Sequence, residues 1–424
     1  MRLVAFAWRL EYRLSPMLQR LRAVAALAVV LAVCPAAARA QTTRADVLEQ
    51  QRAEKASALR PYEPGKLEKW MLWYERTDLL TRLAPRNGFY AQYGFDFKPV
   101  GSGIGFGGGY RHDLFDRRAR VDLGGGLTFR NYQMLKADFS LPYLAGERVE
   151  LGVRAVYNHN PQEDFYGFGM TSLKDDRVSY RADFLEYQAR AIARPVPWFE
   201  AGASVGRLHS ELGTGADKRF PSAEQRFGEV DAPGLLAQPD YRYTELGAAV
   251  DHRDQEDNAR AGGYYALTWR KYTDLDFDRY SFREVDLHAQ RFFPIFDKKR
   301  VFAVQARLLS VDEDAGHEVP FFFRPTIGGG TTLRSYDDYR FRDNNVAYLN
   351  AEYRWEAFSG LDMALFYDIG TVARDARDLS LSNAESGYGI GLRFNTYKSV
   401  WMRLDVGFGG NEGIQYFFKF SKAF

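Results

Sequence analysis

From Asn87 onward, apolar and polar residues alternate with a period of two. Between 400 and 408, Val400, Met402, Leu404, Val406 and Phe408 take turns with Trp401, Arg403, Asp405 and Gly407. Residues 347–355 set Ala347, Leu349, Ala351, Tyr353 and Trp355 against Tyr348, Asn350, Glu352 and Arg354. Residues 388–394 set Tyr388, Ile390, Leu392 and Phe394 against Gly389, Gly391 and Arg393. Successive side chains of a strand point to opposite faces, so each segment has one greasy and one wet face. There are about sixteen such segments of roughly 9–11 residues, the length a tilted strand needs to cross a bilayer. Connections alternate too, short ones at 194–197, 294–299 and 356–360 with longer ones at 209–240, 310–342 and 371–386. Short periplasmic turns and long external loops characterise transmembrane barrels. The pattern predicts an all-β fold, a transmembrane antiparallel β-barrel over residues 87–424 with a polar lumen and both chain ends on the periplasmic side.

The N-terminus follows other rules. Arg20 and Arg22 precede the apolar run "AVAALAVVLAVCPAAARA", which closes on the small-residue site Ala38-Arg39-Ala40. This predicts a signal peptide over residues 1–40, with the mature chain starting at Gln41. Cys34, the single cysteine, lies inside it, so the mature chain has no disulfide or thiolate metal site. Residues 41–86 form a polar periplasmic segment, in which Leu67, Trp70, Met71 and Tyr74 share one face of a short helix. That helix is either a docking segment or a plug for the barrel. No other stretch is long and apolar enough for a membrane-spanning helix. The formal net charge is +2 for the whole chain and slightly negative without the leader, which calls for no nucleic-acid partner. The surroundings implied are outer-membrane lipid, with the terminal Phe424 of "YFFKFSKAF" as a C-terminal barrel signal.

Candidate chemistry is sparse. "GSGIGFGGGY" contains a formal GxGxxG at Gly103, Gly105 and Gly108, but an alternating strand follows instead of the helix a dinucleotide site needs. By parity, Gly103, Gly105, Gly107 and Gly109 face inward, as do Gly124 and Gly126, leaving space for an in-folded loop or the N-terminal segment. The six histidines show no metal-ligand spacing, and no nucleophile stands beside a base. The acidic run "HRDQEDNARAGG" lacks a calcium-ligand pattern and reads as a charged periplasmic turn. These observations predict a non-enzyme without metal or cofactor.

The external loop "FFFRPTIGGGTTLRSYDDYRFRDNN" is too long to be a plain connection. Gly328, Gly329 and Gly330 permit a tight fold-back that carries Arg334 into the lumen. Asp368, with Asp362, Ala364 and Phe366, shares the inward parity, as does Glu352 one strand earlier. Arg334 is then either paired with Asp368 and Glu352 in a charge-assisted contact or solvated at the surface.

"GGGTTLRSYDDYRF", "NAEYRW" and "LFYDIG" together resemble the bacterial surface antigen superfamily of outer-membrane barrels, which contains BamA and TamA. "DFYGFG" at 164–169 and "DHRDQEDNARAGG" at 251–263 resemble further recurring stretches, and the likeness covers about residues 88–424. The resemblance implies an inward-folded sixth external loop. Leu333, Arg334 and Tyr336 match its signature, and Phe366, Asp368 and Gly370 match the strand motif that receives the arginine. Ser335 stands where the family has glycine.

Membership implies insertion or translocation of proteins at the outer membrane. The openable edge would lie between the strands at 88–98 and 414–424, with client outer-membrane proteins or a separately encoded periplasmic partner. The alternative is a passive pore or barrel subunit of a transport complex. One departure matters: the stretch ahead of the barrel is too short for one of the periplasmic domains that members usually carry.

Overall fold

The computed structural model describes residue 49 and residues 65–77, 85–93, 103–396, 399–410 and 412–419. The expected leader and its cleavage site, most of 41–64, and Phe424 lie outside the described residues. Ahead of the barrel the described element is a helix, Lys66–Thr77, whose Trp70 ring meets Trp401 edge-on at 6.2 Å. Of the expected stripe, the side chains of Leu67, Met71 and Tyr74 are outside the described set.

Sixteen antiparallel strands form one sheet in which each strand pairs with its neighbours in order along the chain. The sheet runs from Gly88–Tyr93 to Gln415–Lys419, and among the described residues no ladder joins these two. Outward positions carry exposed Phe106, Leu127, Leu135, Val205, Leu246, Leu267, Phe302, Leu365 and Ile390. So continuous an apolar girdle is stable only against lipid. Among the described residues no helix is long and apolar enough to cross a membrane.

Inward positions carry the charges the alternation placed there. The register sets Asn350 beside Asp368 and Glu352 beside Phe366 across one strand pair. It sets Gly391 beside Asp405 and Gly389 beside Gly407 across another. These pairs meet because their strands are antiparallel neighbours in this register.

Beside two glycines of the first strands, Gly109 and Gly124, a described neighbour is a ring of strand Gly88–Tyr93. The Tyr90 ring fills that space: a β-carbon on Gly109 would lie 2.5 Å from it, and one on Gly124 2.5 Å from its hydroxyl. Tyr90 donates to Asp122 Oδ1 at 2.7 Å. A bulky inward side chain on the first strand therefore consumes the room its neighbours leave.

The external loops form a packed cap. Phe321, Phe322 and Phe323 of the long loop pack in sequence, ring centroids 5.6 and 4.8 Å apart, and wedge into two aromatic clusters. One is built on Phe165, Val178, Tyr180 and Leu212, the other on Tyr241, Tyr272, Tyr280 and Phe282. At the periplasmic end, the charged turn 252–261 does not lie along its own strands. It reaches over the bore to strands several places further round the sheet. Asn258 donates its side-chain NH to the Thr396 carbonyl at 2.9 Å, Asp257 pairs with Ser399, and Arg260 reaches Asp362 Oδ2 at 2.7 Å. Ala259 is buried against inward-facing Phe292, Val301 and Ala303.

Candidate functional site

The sixth external loop, residues 314–344, descends into the bore from the strands Arg300–Glu313 and Asn345–Phe358. A two-residue ladder, Thr326–Ile327 against Phe341–Arg342, draws its limbs together. The turn needs glycine at 328, where φ is +124° and a β-carbon would sit 2.3 Å from the Asp337 carbonyl oxygen. The Thr332 hydroxyl then bridges Gly328, accepting from its NH at 2.9 Å and donating to its carbonyl at 2.8 Å. Below the turn, Leu333 and Ile327 are fully buried with Tyr336, Phe341, Val346, Tyr348 and Val372.

Arg334 lies at the bottom of this descent, 2% exposed. Its Nε and Nη2 donate to Asp368 Oδ2 and Oδ1 at 2.8 and 2.6 Å, a bidentate fork, and its backbone NH adds a third bond to Oδ2 at 3.1 Å. Nη1 donates to Glu352, and the guanidinium lies 3.7 Å above the Phe366 ring. Asp368 also accepts from Asn350 at 2.7 Å. Glu352 is shared, taking Arg354 Nε at 2.7 Å and Arg393 Nη2 at 2.8 Å, while Arg393 also reaches Asp405 at 2.6 Å. Burial alone would depress the Arg334 guanidinium. The charges of Asp368 and Glu352 overcome it and hold the group above its ordinary range.

The loop is fixed at further points. Ser335 Oγ donates to the Phe408 carbonyl at 2.6 Å, Tyr336 donates to Glu385, and Arg403 donates to the Gly330 carbonyl. Gly330 itself presses on the last strand, where its β-carbon would stand 2.9 Å from the Phe417 ring and 3.1 Å from Lys419. Outside the bore, Arg340 pairs with Glu412 and donates to the Ser172 carbonyl at 2.8 Å. Gly370 leaves room for Ile327, 3.0 Å from where a β-carbon would be.

The structure thus brings together Arg334, Tyr336, Glu352, Phe366, Asp368, Gly370 and the triple glycine. Sequence reasoning missed Arg354, Arg393, Arg403 and Asp405, and also the seat of the loop. Gly387, Gly389 and Gly407 form that seat. A β-carbon on Gly407 would lie 1.8 Å from the Arg334 carbonyl oxygen, and one on Gly387 1.8 Å from Ser335 Oγ. The signal was present in the inward parity of 387–391 and 401–407, which places glycines and charges on one wall. The two histidines nearest periplasmic turns, His112 and His252, stack on Tyr110 and Trp198. His288 faces the lumen and bonds Gln305 at 3.0 Å. Among the described residues no group of three metal-ligating side chains converges.

An apolar-girdled barrel with a charged bore and a long external loop seated inside it belongs to the outer-membrane barrels. The Omp85 superfamily domain matches residues 117–422, and the chain is a member of that superfamily. Its structure is similar to BamA from Haemophilus ducreyi lacking POTRA domains 1–3, with a TM-score of 0.58 and 16% identity over 80% of this chain and 70% of that one. It is also similar to CdiB from Escherichia coli, with a TM-score of 0.53 and 12% identity over 79% of this chain and 62% of that one. At such identities the likeness shows the fold alone, and the chain spans less than two thirds of CdiB. No curated protein matches the sequence.

Proposed function

We propose that this barrel, exported by its leader, assists insertion or translocation of proteins at the outer membrane without enzymatic chemistry. The edge between Gly88–Tyr93 and Gln415–Lys419 is where an incoming strand would pair. Arg334, Glu352 and Asp368 act as the lock of the sixth loop, and Tyr336 and Phe366 brace it. The contact of the loop turn with the last strand carries this reading: Gly330 rests on Phe417 and Lys419, and Arg403 grips its carbonyl. Lock and edge are therefore one mechanical unit, since a last strand that peels away withdraws part of the loop's support. A strand edge that opens is a template for another strand. The receiving domain for client chains would be supplied by a separately encoded periplasmic partner.

Photo-crosslinking tests the proposal. A crosslinker at Tyr416, exposed on the last strand, is expected to capture nascent outer-membrane proteins, while one at Leu246, exposed on a distant wall, captures none. Equal capture at the two positions, or none, together with steady conductance in planar bilayers, would select the passive-pore reading instead.

A further inference from the structure

Four external loops, residues 166–177, 215–240, 314–344 and 374–384, enclose a cavity of about 380 Å³ above the aromatic cap. Its walls are apolar at Phe168, Phe227, Val230 and Pro233, and cationic at Arg324 and Arg374. Arg324 is the unusual member. It is 4% exposed, yet its hydrogen bond runs from Nε to the Val319 carbonyl at 3.2 Å, and its remaining contact is the Phe168 ring at 4.0 Å. Among the described residues no carboxylate lies within ion-pairing distance of it. The contrast with Arg334 and Arg393, each held by two carboxylates, is direct. Burial, reinforced by Arg374, pushes the Arg324 guanidinium down to about 10. The carboxylates that act on it lie beyond ion-pairing distance: buried Asp343 has the largest effect and accepts from the Asn344 NH at 2.9 Å, Glu313 pairs with Arg374 at 3.0 Å, Glu318 pairs with Arg279 at 3.0 Å, and Asp231 is exposed at the rim.

A buried guanidinium lacking its counter-charge is costly, because desolvation is not offset by an ion pair. An oxyanion entering the cavity from outside supplies that pair, and the planar fork suits a carboxylate or phosphate bidentately. The volume and apolar walls match a small ligand with a carbon body better than a bare ion. We propose that this cavity is an external binding site for a small organic anion, a carboxylate or phosphate on an apolar body, with Arg324 as the fork and Arg374 as second donor. This inference does not depend on the barrel's role in protein insertion. Occupancy would grip the loop between its phenylalanine wedge at 321–323 and the ladder that leads down to Arg334.

Calorimetry on the full chain in detergent, with phenyl phosphate and benzoate as probes and phenol as the neutral control, tests it. Saturable binding of the anions and none of phenol is expected. Arg324→Gln should weaken binding at least tenfold, Arg374→Gln severalfold, and Arg377→Gln, a largely exposed neighbour, should leave it unchanged. Heat-modifiable migration identifies folded variants, and if Arg324→Gln fails that check the Arg374→Gln loss carries the test. Absence of saturable binding by the unaltered protein, or equal affinity in folded Arg324→Gln, overturns the site. Displacement of phenyl phosphate by vesicles containing phosphatidylglycerol would identify a lipid headgroup as the source, and its absence a soluble anion. Both outcomes support the site.

Discussion

Replacing Arg334 with alanine removes the bidentate fork to Asp368, the bond to Glu352 and the stack on Phe366. Glu352 keeps Arg354 and Arg393, at 2.7 and 2.8 Å. Asp368 keeps the Asn350 amide and the backbone NH of residue 334, neither of them a full charge, so the loss is concentrated there. Stranding one member of a buried pair costs about 3–5 kcal/mol. If that falls on the seated loop rather than the whole barrel, the unseated fraction rises by roughly 10²–10³·⁵, at about 1.4 kcal/mol per decade. The chain's one cysteine is Cys34, so Ser335→Cys combined with Cys34→Ser provides a single reporter at a fully buried position bonded to the Phe408 carbonyl. In that background the maleimide labelling rate tracks the unseated population when opening is fast. Asp368→Ala should speed labelling comparably, because it strands Arg334 with Glu352 alone. The double replacement should cost little more than either single one, a shortfall from additivity of up to about 3 kcal/mol. Labelling that rises less than about tenfold in Arg334→Ala, or strictly additive effects, would refute the lock.

Gly407→Ala and Gly387→Ala should unseat the loop without touching a charge, since each β-carbon would sit 1.8 Å from a loop atom; Gly247→Ala, with its nearest neighbour at 3.6 Å, should stay within about 0.5 kcal/mol of the parent in melting experiments. Burial pushes the Asp338 carboxyl up to about 6 from an ordinary 3.8, against the field of Lys419 and with those of Asp164 and Asp337. A raised carboxyl stabilises the seated loop fully below its ordinary value and loses that contribution as pH climbs through 6. Bilayer conductance should therefore grow between pH 5 and pH 7, and Asp338→Asn should flatten the dependence. Arg260→Ala strands buried Asp362 at the periplasmic end, and its conductance increase should add to that of Arg334→Ala because the two sites share no partner.

How far each feature could be read from the residues depends on what determines it. Strand positions and the inward set are local: a period of two fixes which side chains share a face, so Glu352, Phe366 and Asp368 could be placed on one wall without coordinates. Which inward residues meet depends on closure and register. The contact of Arg393 with both Glu352 and Asp405 arises only because four strands lie side by side, the reach to Glu352 crossing Leu361–Ala373. Glycines illustrate the same limit. Parity located the inward glycines at 103–109 but not what would fill the space, and those at 387–391 were passed over. A ring from the adjacent strand, Tyr90, takes the first, and the loop takes the second. The turn 252–261 read as charged and periplasmic because composition says nothing of reach. Its bonds to Thr396, Ser399 and Asp362 are tertiary.

That turn has a mechanical corollary. By joining the hairpin at 241–274 to the one at 385–408 beneath the bore, it works as a tie-rod between two sectors of the wall. Strands on the far side of the anchor at Ser399 and Val400 can swing outward, while those between the two anchors are held at fixed span. A parting that begins at Gln415–Lys419 would therefore be arrested on that side within a strand or two.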